Sequence, residues 1–114
     1  MLRPCLQAKI YPLVVTDKNI EYDGSLGLSP ALMNAADLIP GQVIQVVNLN
    51  NGSRFETYLI EGEDGFCVLN GGAARLGEVG DRLIVMAFVY LEGSETFEPR
   101  IIKVDSNNLF QEKQ

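Results

Sequence analysis

The chain contains no histidine and no tryptophan. Without imidazole it has no Ser-His-Asp triad, no Cys-His pair and no His-containing metal site. Any chemistry therefore runs on Ser, Thr, Tyr, Lys, Arg or carboxylates. Positive charge is scarce as well: nine Lys and Arg stand against fifteen Asp and Glu, a net charge of −6. That balance removes the electrostatic footprint of a nucleic-acid binder. The two cysteines, Cys5 and Cys67, lie far apart without CxxC spacing. A secreted disulfide scaffold would be denser, so both read as reduced and packed. No apolar run approaches the length of a membrane span. The opening MLRPCLQAKIYPLVV is broken by Arg3, Lys9 and two prolines, so it lacks the apolar centre of a signal peptide. These absences predict a cytoplasmic protein with neither nucleic acid nor a membrane as partner.

What remains suffices for one domain over residues 1–114. Hydrophobic residues make up 46% of the chain, enough for a core, and the 21% of charged residues argues against disorder. Short apolar runs recur between turn signals. Leu2 to Thr16 reads as extended, with Pro4 and Pro12 confining it to edges or strand ends. A turn near Asn19 to Tyr22 precedes a short strand from Gly24 to Leu28. Ser29-Pro30 supplies an N-cap and a proline at the first helical position, and Ala31 to Asp37 is a good helix former stopped by Pro40-Gly41. Gln42 to Leu49 and Ser53 to Ile60 are strands joined by an Asn51-Gly52 hairpin turn. Phe66 to Asn70 is a further strand, and Gly71 to Gly80 has room for one helical turn. The run LIVMAFVYL within Arg82 to Leu91 predicts a fully buried strand. Tyr90 and the phenylalanines read as core. A last strand spans Arg100 to Val104, and the tail from Asp105 is polar and expected to be loose. Six or seven short strands with one clear helix predict a small, mainly-β barrel.

Four places carry chemistry that a bland reading also covers. Gly24-Ser25 is an ordinary turn pair, yet a serine hydroxyl can attack the carbonyl of its own preceding peptide bond. Glycine before it opens backbone angles closed to other residues and leaves that carbonyl exposed. Elimination from the resulting ester yields dehydroalanine and then a pyruvoyl group, an electrophilic ketone that forms Schiff bases without pyridoxal phosphate. Lys9, amid the apolar strand Leu6 to Leu13, is either a solvated lysine or, read functionally, a carboxylate anchor or a polariser of the cleavage site. Arg54, Thr57 and Tyr58 follow the hairpin. Strand alternation puts Arg54, Glu56 and Tyr58 on one face and Phe55, Thr57 and Leu59 on the other. A plain antiparallel strand explains this pattern; so would an arginine for bidentate carboxylate capture and a tyrosine for proton donation. One pocket uses Thr57 together with the other two only at a bend or a subunit junction. Asn70-Gly71-Gly72-Ala73-Ala74 leaves backbone N–H groups accessible, as an anion site or a tight loop would. It lacks the GxxxxGK[ST] pattern of a phosphate loop.

Leu6-Gln7-Ala8-Lys9-Ile10, Tyr22-Asp23-Gly24-Ser25, Asn51 to Tyr58, Asn70-Gly71 with Ala73-Ala74, and Gly80-Asp81 together resemble the pyruvoyl-dependent aspartate 1-decarboxylases of bacteria. The likeness runs from about Leu2 to Asp81 and more loosely to Val104. It implies a double-psi β-barrel, a homotetramer, and self-cleavage between Gly24 and Ser25 with no metal and no pyridoxal phosphate. It also implies α-decarboxylation of L-aspartate to β-alanine for pantothenate and coenzyme A synthesis. Carried over by residue, Ser25 becomes the pyruvoyl group, and Lys9 and Arg54 bind substrate carboxylate. Thr57 assists cleavage at the Gly24 carbonyl, Tyr58 donates the proton, and Tyr22, Asn70, Gly71, Gly72 and Ala73 line the pocket.

The chain also departs from that pattern. Tyr11-Pro12 stands where His-Arg is usual, removing two cations near the substrate site. Val47 stands for Trp, Asp23 for Glu and Gly72 for Ala. The readings to be weighed against the decarboxylase are a non-catalytic barrel acting as a binding module, and a decarboxylase of another amino acid.

Overall fold

In the computed structural model, which describes residues 1–110, the extended N-terminal segment forms β1 (Leu2–Val14). It is followed by β2 (Asp17–Asn19), β3 (Ser25–Leu28), α1 (Pro30–Ala36), β4 (Val43–Asn48), β5 (Arg54–Glu61), β6 (Val68–Asn70), a 3₁₀ turn (Gly71–Arg75), β7 (Arg82–Glu92) and β8 (Arg100–Lys103). The eight strands lie in one sheet ordered β2-β6-β3-β5-β4-β7-β1-β8. Three of its pairs are parallel, namely β1 with β8, β2 with β6 and β3 with β5. β2 is one strand more than the sequence suggested. Its three exposed residues, Asp17 to Asn19, carry no apolar alternation to reveal it.

The prolines of β1 sit where a missing N–H costs nothing. Pro4 pairs with Tyr90 of β7, on a stretch that β8 does not reach, because β8 pairs only with Ala8 to Tyr11. Pro12 falls in the register break between Ile10 and Leu13. Inward side chains of successive strands, among them Ile10, Leu13, Leu26, Leu28, Ile44, Val46, Leu59, Leu69, Leu83 and Val85, make one buried apolar cluster.

β7 corrects the expectation of a strand buried on both faces. Leu83, Val85 and Ala87 are buried, Ile84 and Met86 half-buried, and Phe88 and Tyr90 exposed. The strand lies between β1 and β4 with only its inner face against the core, and an all-apolar run shows no period in its hydropathy to say so. Tyr90 and most phenylalanines are likewise not core: Tyr90 is 67% exposed, and Phe66, Phe88 and Phe97 are also exposed. Phe55 and Phe110 pack partly against the cluster.

Local signals hold at α1 and at the hairpin. The Ser29 hydroxyl accepts from the Leu32 N–H at 3.2 Å and Pro30 follows it, a cap whose loss costs about 1 kcal/mol. Gly52 adopts φ +78° in the β4–β5 turn, as an Asn-Gly pair favours. The segment after β8, expected to be loose, is folded back through residue 110. Val104 bridges Phe110, and Asn108 is buried at φ +60°. Its side chain accepts from the Val14 N–H and donates to the carbonyls of Val14 and Gly65. These bonds satisfy the end of β1, where the ladder to β7 stops. Residues 111–114 of the polar tail lie outside the described residues.

Candidate active site

Ser25 opens β3 and is completely buried. Its hydroxyl donates to the Asp23 carbonyl at 3.4 Å and accepts from the Asn70 side-chain amide at 3.0 Å. The oxygen is thus turned back toward the peptide units that precede it. With its proton directed to Asp23 and one lone pair engaged by Asn70, a second lone pair remains for attack. Asn70 ends β6, directly opposite Ser25 in the antiparallel β3–β6 register. Gly71, the next residue, adopts φ +58°. A Cβ there would stand 2.6 Å from the Gly24 nitrogen, 2.7 Å from its Cα and 2.8 Å from the Tyr22 carbonyl oxygen. The Gly71 backbone therefore presses on the Tyr22–Gly24 segment as no other residue could. Gly24 itself has open space where a side chain would be.

The parallel register brings β5 alongside. Leu26 pairs with Leu59. The paired stretch begins there, so Tyr58 and Thr57 precede the first paired residue of β5 as Ser25 and Gly24 precede that of β3. Paired residues share a sheet face, so Ser25 and Asn70 project together, while on β5 Tyr58 lies on the outer face with Val43 and Thr57 on the inner face with Ile44, as alternation predicted. Burial agrees: Thr57 is half-buried and Tyr58 is 37% exposed. Tyr22 is exposed beside this cluster, Gly72 is open, and Ala73 is buried in the 3₁₀ turn.

The two cations lie farther off. Arg54 is exposed at the start of β5, four residues before Tyr58 on the same face, opposite Val47. Lys9 is half-buried on β1, and β5, β4 and β7 lie between its strand and β3. It pairs with Met86 of β7 and Ile101 of β8, so it too projects outward. One chain thus joins Ser25 to Asn70 and Gly24 to Gly71, carries Thr57 and Tyr58 on the neighbouring strand β5, and distributes Lys9 and Arg54 over the outer face of the same sheet. That face carries exposed Val43, Tyr58, Phe88 and Tyr90 and a shallow groove of about 390 Å³. Sequence reasoning assigned Tyr90 and Phe88 to the core and so missed this apolar face. The close approach of Gly71 to Gly24 was missed for a different reason, because no pattern within either segment signals it.

Two further groups define the electrostatics. Burial pushes the Cys67 thiol up to about 12, so it is no nucleophile at neutral pH. Asp81 accepts from the Asn48 side-chain amide and from the Glu78 N–H, each at 2.9 Å. The Asn48 bond foremost, then the Glu78 bond and the charge of Lys18, hold its carboxyl below the usual range.

The fold is that of a small double-psi β-barrel. The rationally designed mkDPBB_sym_86 protein superposes with a TM-score of 0.52, covering 73% of this chain and 94% of that one at 18% identity, a likeness of fold alone. Sequence relatives extend much further. An aspartate 1-decarboxylase of Kosmotoga olearia is 46% identical over 110 residues, covering 95% of this chain and 96% of its own. That of Syntrophomonas wolfei is 44% identical over 116 residues, covering 98% of each. That of Caldicellulosiruptor saccharolyticus is 47% identical, covering 95% of this chain and 88% of its own. The aspartate decarboxylase family model matches residues 1–111. On that match and these identities, the chain belongs to the aspartate decarboxylase family.

Proposed function

We propose that this chain cleaves itself between Gly24 and Ser25 and then decarboxylates L-aspartate to β-alanine and carbon dioxide, supplying pantothenate and coenzyme A synthesis. The observation that carries this reading is the buried Ser25 hydroxyl, aimed back at the preceding peptides and bonded to Asn70, beside a Tyr22–Gly24 segment that Gly71 presses on. In the cleavage, Ser25 Oγ adds to the Gly24 carbonyl carbon and the Gly24–Ser25 amide bond breaks, leaving an ester. Elimination across the Ser25 Cα–Cβ bond frees Gly24 as a carboxylate and leaves dehydroalanine. Hydrolysis takes up one water, releases ammonia and leaves a pyruvoyl ketone at residue 25. Thr57, on the strand that pairs with β3, assists at the Gly24 carbonyl.

The residues around Ser25 fit that group: an apolar, buried strand end with the Asn70 amide directed at the Ser25 oxygen, and an exposed phenol, Tyr58, on the neighbouring strand. When formed, the pyruvoyl ketone supplies an electrophile for the substrate amine and a sink for the electrons left by the departing carboxylate. The chain's own groups do the rest. Arg54 and Lys9 bind carboxylate, and a cation serves best on the carboxylate that stays, since holding the leaving one tightly opposes its loss. Tyr58 Oη delivers a proton to the substrate α-carbon. Tyr22, Gly72 and Ala73 line the approach.

The outward placement of Lys9 and Arg54, on a face rich in exposed apolar side chains, supports completion of the site by further copies, a homotetramer by resemblance. Two reduced thiols and a free amino acid as substrate fit the cytoplasm. Intact-mass spectrometry tests the central step. Fragments 1–24 and 25–114 are expected, the latter gaining two hydrogens on borohydride reduction, and Ser25→Ala stays full length. A wild-type chain uncut after long warm incubation overturns the reading, as does a cut chain that makes no β-alanine from L-aspartate. Light scattering that finds a fully active monomer sinks the oligomer.

A further inference from the structure

Lys9 is a cation without a carboxylate partner among the described residues, in a chain of net charge −6. Among the described residues the ion pairs are Met1–Glu92 and Lys18–Glu78. The cross-strand neighbours of Lys9 are Met86 and Ile101, whose side chains offer no oxygen. What its ammonium does meet is an aromatic face: Nζ lies 4.5 Å from the centre of the Tyr11 ring. Lys9 and Tyr11 are two apart on β1 and so share a face. The backbone of Tyr11 is itself held firmly. Its carbonyl accepts from the Val104 N–H at 2.9 Å, it pairs with Lys103 of β8, and the fixed ring of Pro12 follows it.

We infer that Tyr11 is a positioning residue for Lys9, its ring holding the ammonium in place while leaving the charge and the N–H donors free for a substrate carboxylate. The inference rests on the reading of Lys9 as a carboxylate-binding cation. A carboxylate partner would orient the lysine equally well, but it would neutralise the charge and compete with the substrate for the same protons. A ring face attracts the cation through its quadrupole and takes none of its hydrogen-bonding capacity. Tyr11-Pro12, where the family resemblance leads one to expect His-Arg, thus replaces two charges by a device that sharpens one. An ammonium tethered on a flexible four-carbon stem loses less freedom on binding when it is already held.

The test compares wild type, Tyr11→Phe, Tyr11→Leu, Lys9→Met and the Tyr11→Leu/Lys9→Met double variant, all checked for processing by intact mass. Tyr11→Leu is expected to raise KM for L-aspartate about three- to thirtyfold with kcat little changed. Tyr11→Phe keeps the ring and should restore KM to within about twofold of wild type, a rescue that separates the ring from general packing. In the Lys9→Met background Tyr11→Leu should add nothing, because the ring acts only through the lysine. A readout independent of activity is the Lys9 ε-methylene resonance in ¹³C-lysine-labelled protein, shifted upfield by the ring in wild type and Tyr11→Phe and not in Tyr11→Leu. An unshifted wild-type methylene, an unchanged KM in Tyr11→Leu, or an equal rise in the Lys9→Met background overturns the inference. A shifted methylene in a processed chain that does not decarboxylate L-aspartate overturns the assigned reaction instead, and leaves the ring–ammonium pairing standing.

Discussion

The Asn70 side-chain amide donates to the Ser25 hydroxyl at 3.0 Å, with both residues buried and directly opposite each other in the β3–β6 register. This bond ties the proposed reactive residue to the strand beside it. Asn70→Ala leaves the hydroxyl with the long bond to the Asp23 carbonyl alone. The expected outcome is slower cleavage, followed as the fraction of full-length chain over time by mass spectrometry. The unfolding free energy of the precursor should fall by about 1–3 kcal/mol, the cost of a buried polar group deprived of its partner. Unchanged processing would show that Asn70 does not direct Ser25.

Gly71 and Gly72 are adjacent and predict opposite results. Gly71→Ala forces a Cβ within 2.6 Å of the Gly24 backbone at φ +58°, whereas a Cβ at Gly72 meets nothing within 4 Å. The left-handed angle alone costs roughly 1–2 kcal/mol, and the overlap must be relieved by moving the Tyr22–Gly24 segment. Gly71→Ala is therefore expected to accumulate uncut precursor, and Gly72→Ala to process as wild type. Equal processing of the two variants would refute the role given to the close approach.

Thr57 and Tyr58 should fail in different ways because they project to opposite faces of β5. Tyr58→Phe keeps the ring, so processing should survive while kcat falls on the order of 10²–10⁴, as expected for loss of a proton-transfer group. Thr57→Val keeps shape and loses the hydroxyl, and should slow cleavage. Processing blocked in Tyr58→Phe but intact in Thr57→Val would reverse the two roles.

Asp81 makes a pH-dependent contribution to stability with a definite sign. Its folded-state pKa lies below the ordinary 3.8, chiefly through the Asn48 hydrogen bond. The stabilisation is therefore fully present above the unfolded-state value and is lost as pH falls through the folded one. Denaturant unfolding at a series of pH values should show Asp81→Asn less stable than wild type at neutral pH, with the gap closing in acid. A gap that stays constant down to strongly acidic pH would place the variant's cost in packing instead.

Much of the local structure could be read without coordinates because its causes lie within a few residues. Ser29-Pro30 starts α1 through one hydroxyl and one fixed φ, and Asn51-Gly52 turns the β4–β5 hairpin through a positive φ at Gly52. The self-cleavage proposed at Gly24-Ser25 likewise rests on two adjacent residues, and the absence of histidine narrows the rest. The placement of Asn108 was not legible. Only the burial of its side chain between Val14 and Gly65 turns a polar tail into a clamp on β1.

Composition, turn chemistry and the Gly24-Ser25 pair were determined by the sequence itself, since each depends on covalent neighbours and on which side chains exist at all. Tertiary structure alone decided which face of β7 is covered, because LIVMAFVYL is apolar on both sides and burial follows from what packs there, not from the run. It alone set β5, which carries Thr57 and Tyr58, alongside β3, which opens at Ser25, through a parallel register that no hairpin enforces. It alone left Lys9 across the sheet from Ser25 with its ammonium on the Tyr11 ring. Pairings between distant segments are selected by the closure of one shared core, and that selection is a property of the whole chain rather than of any stretch of it.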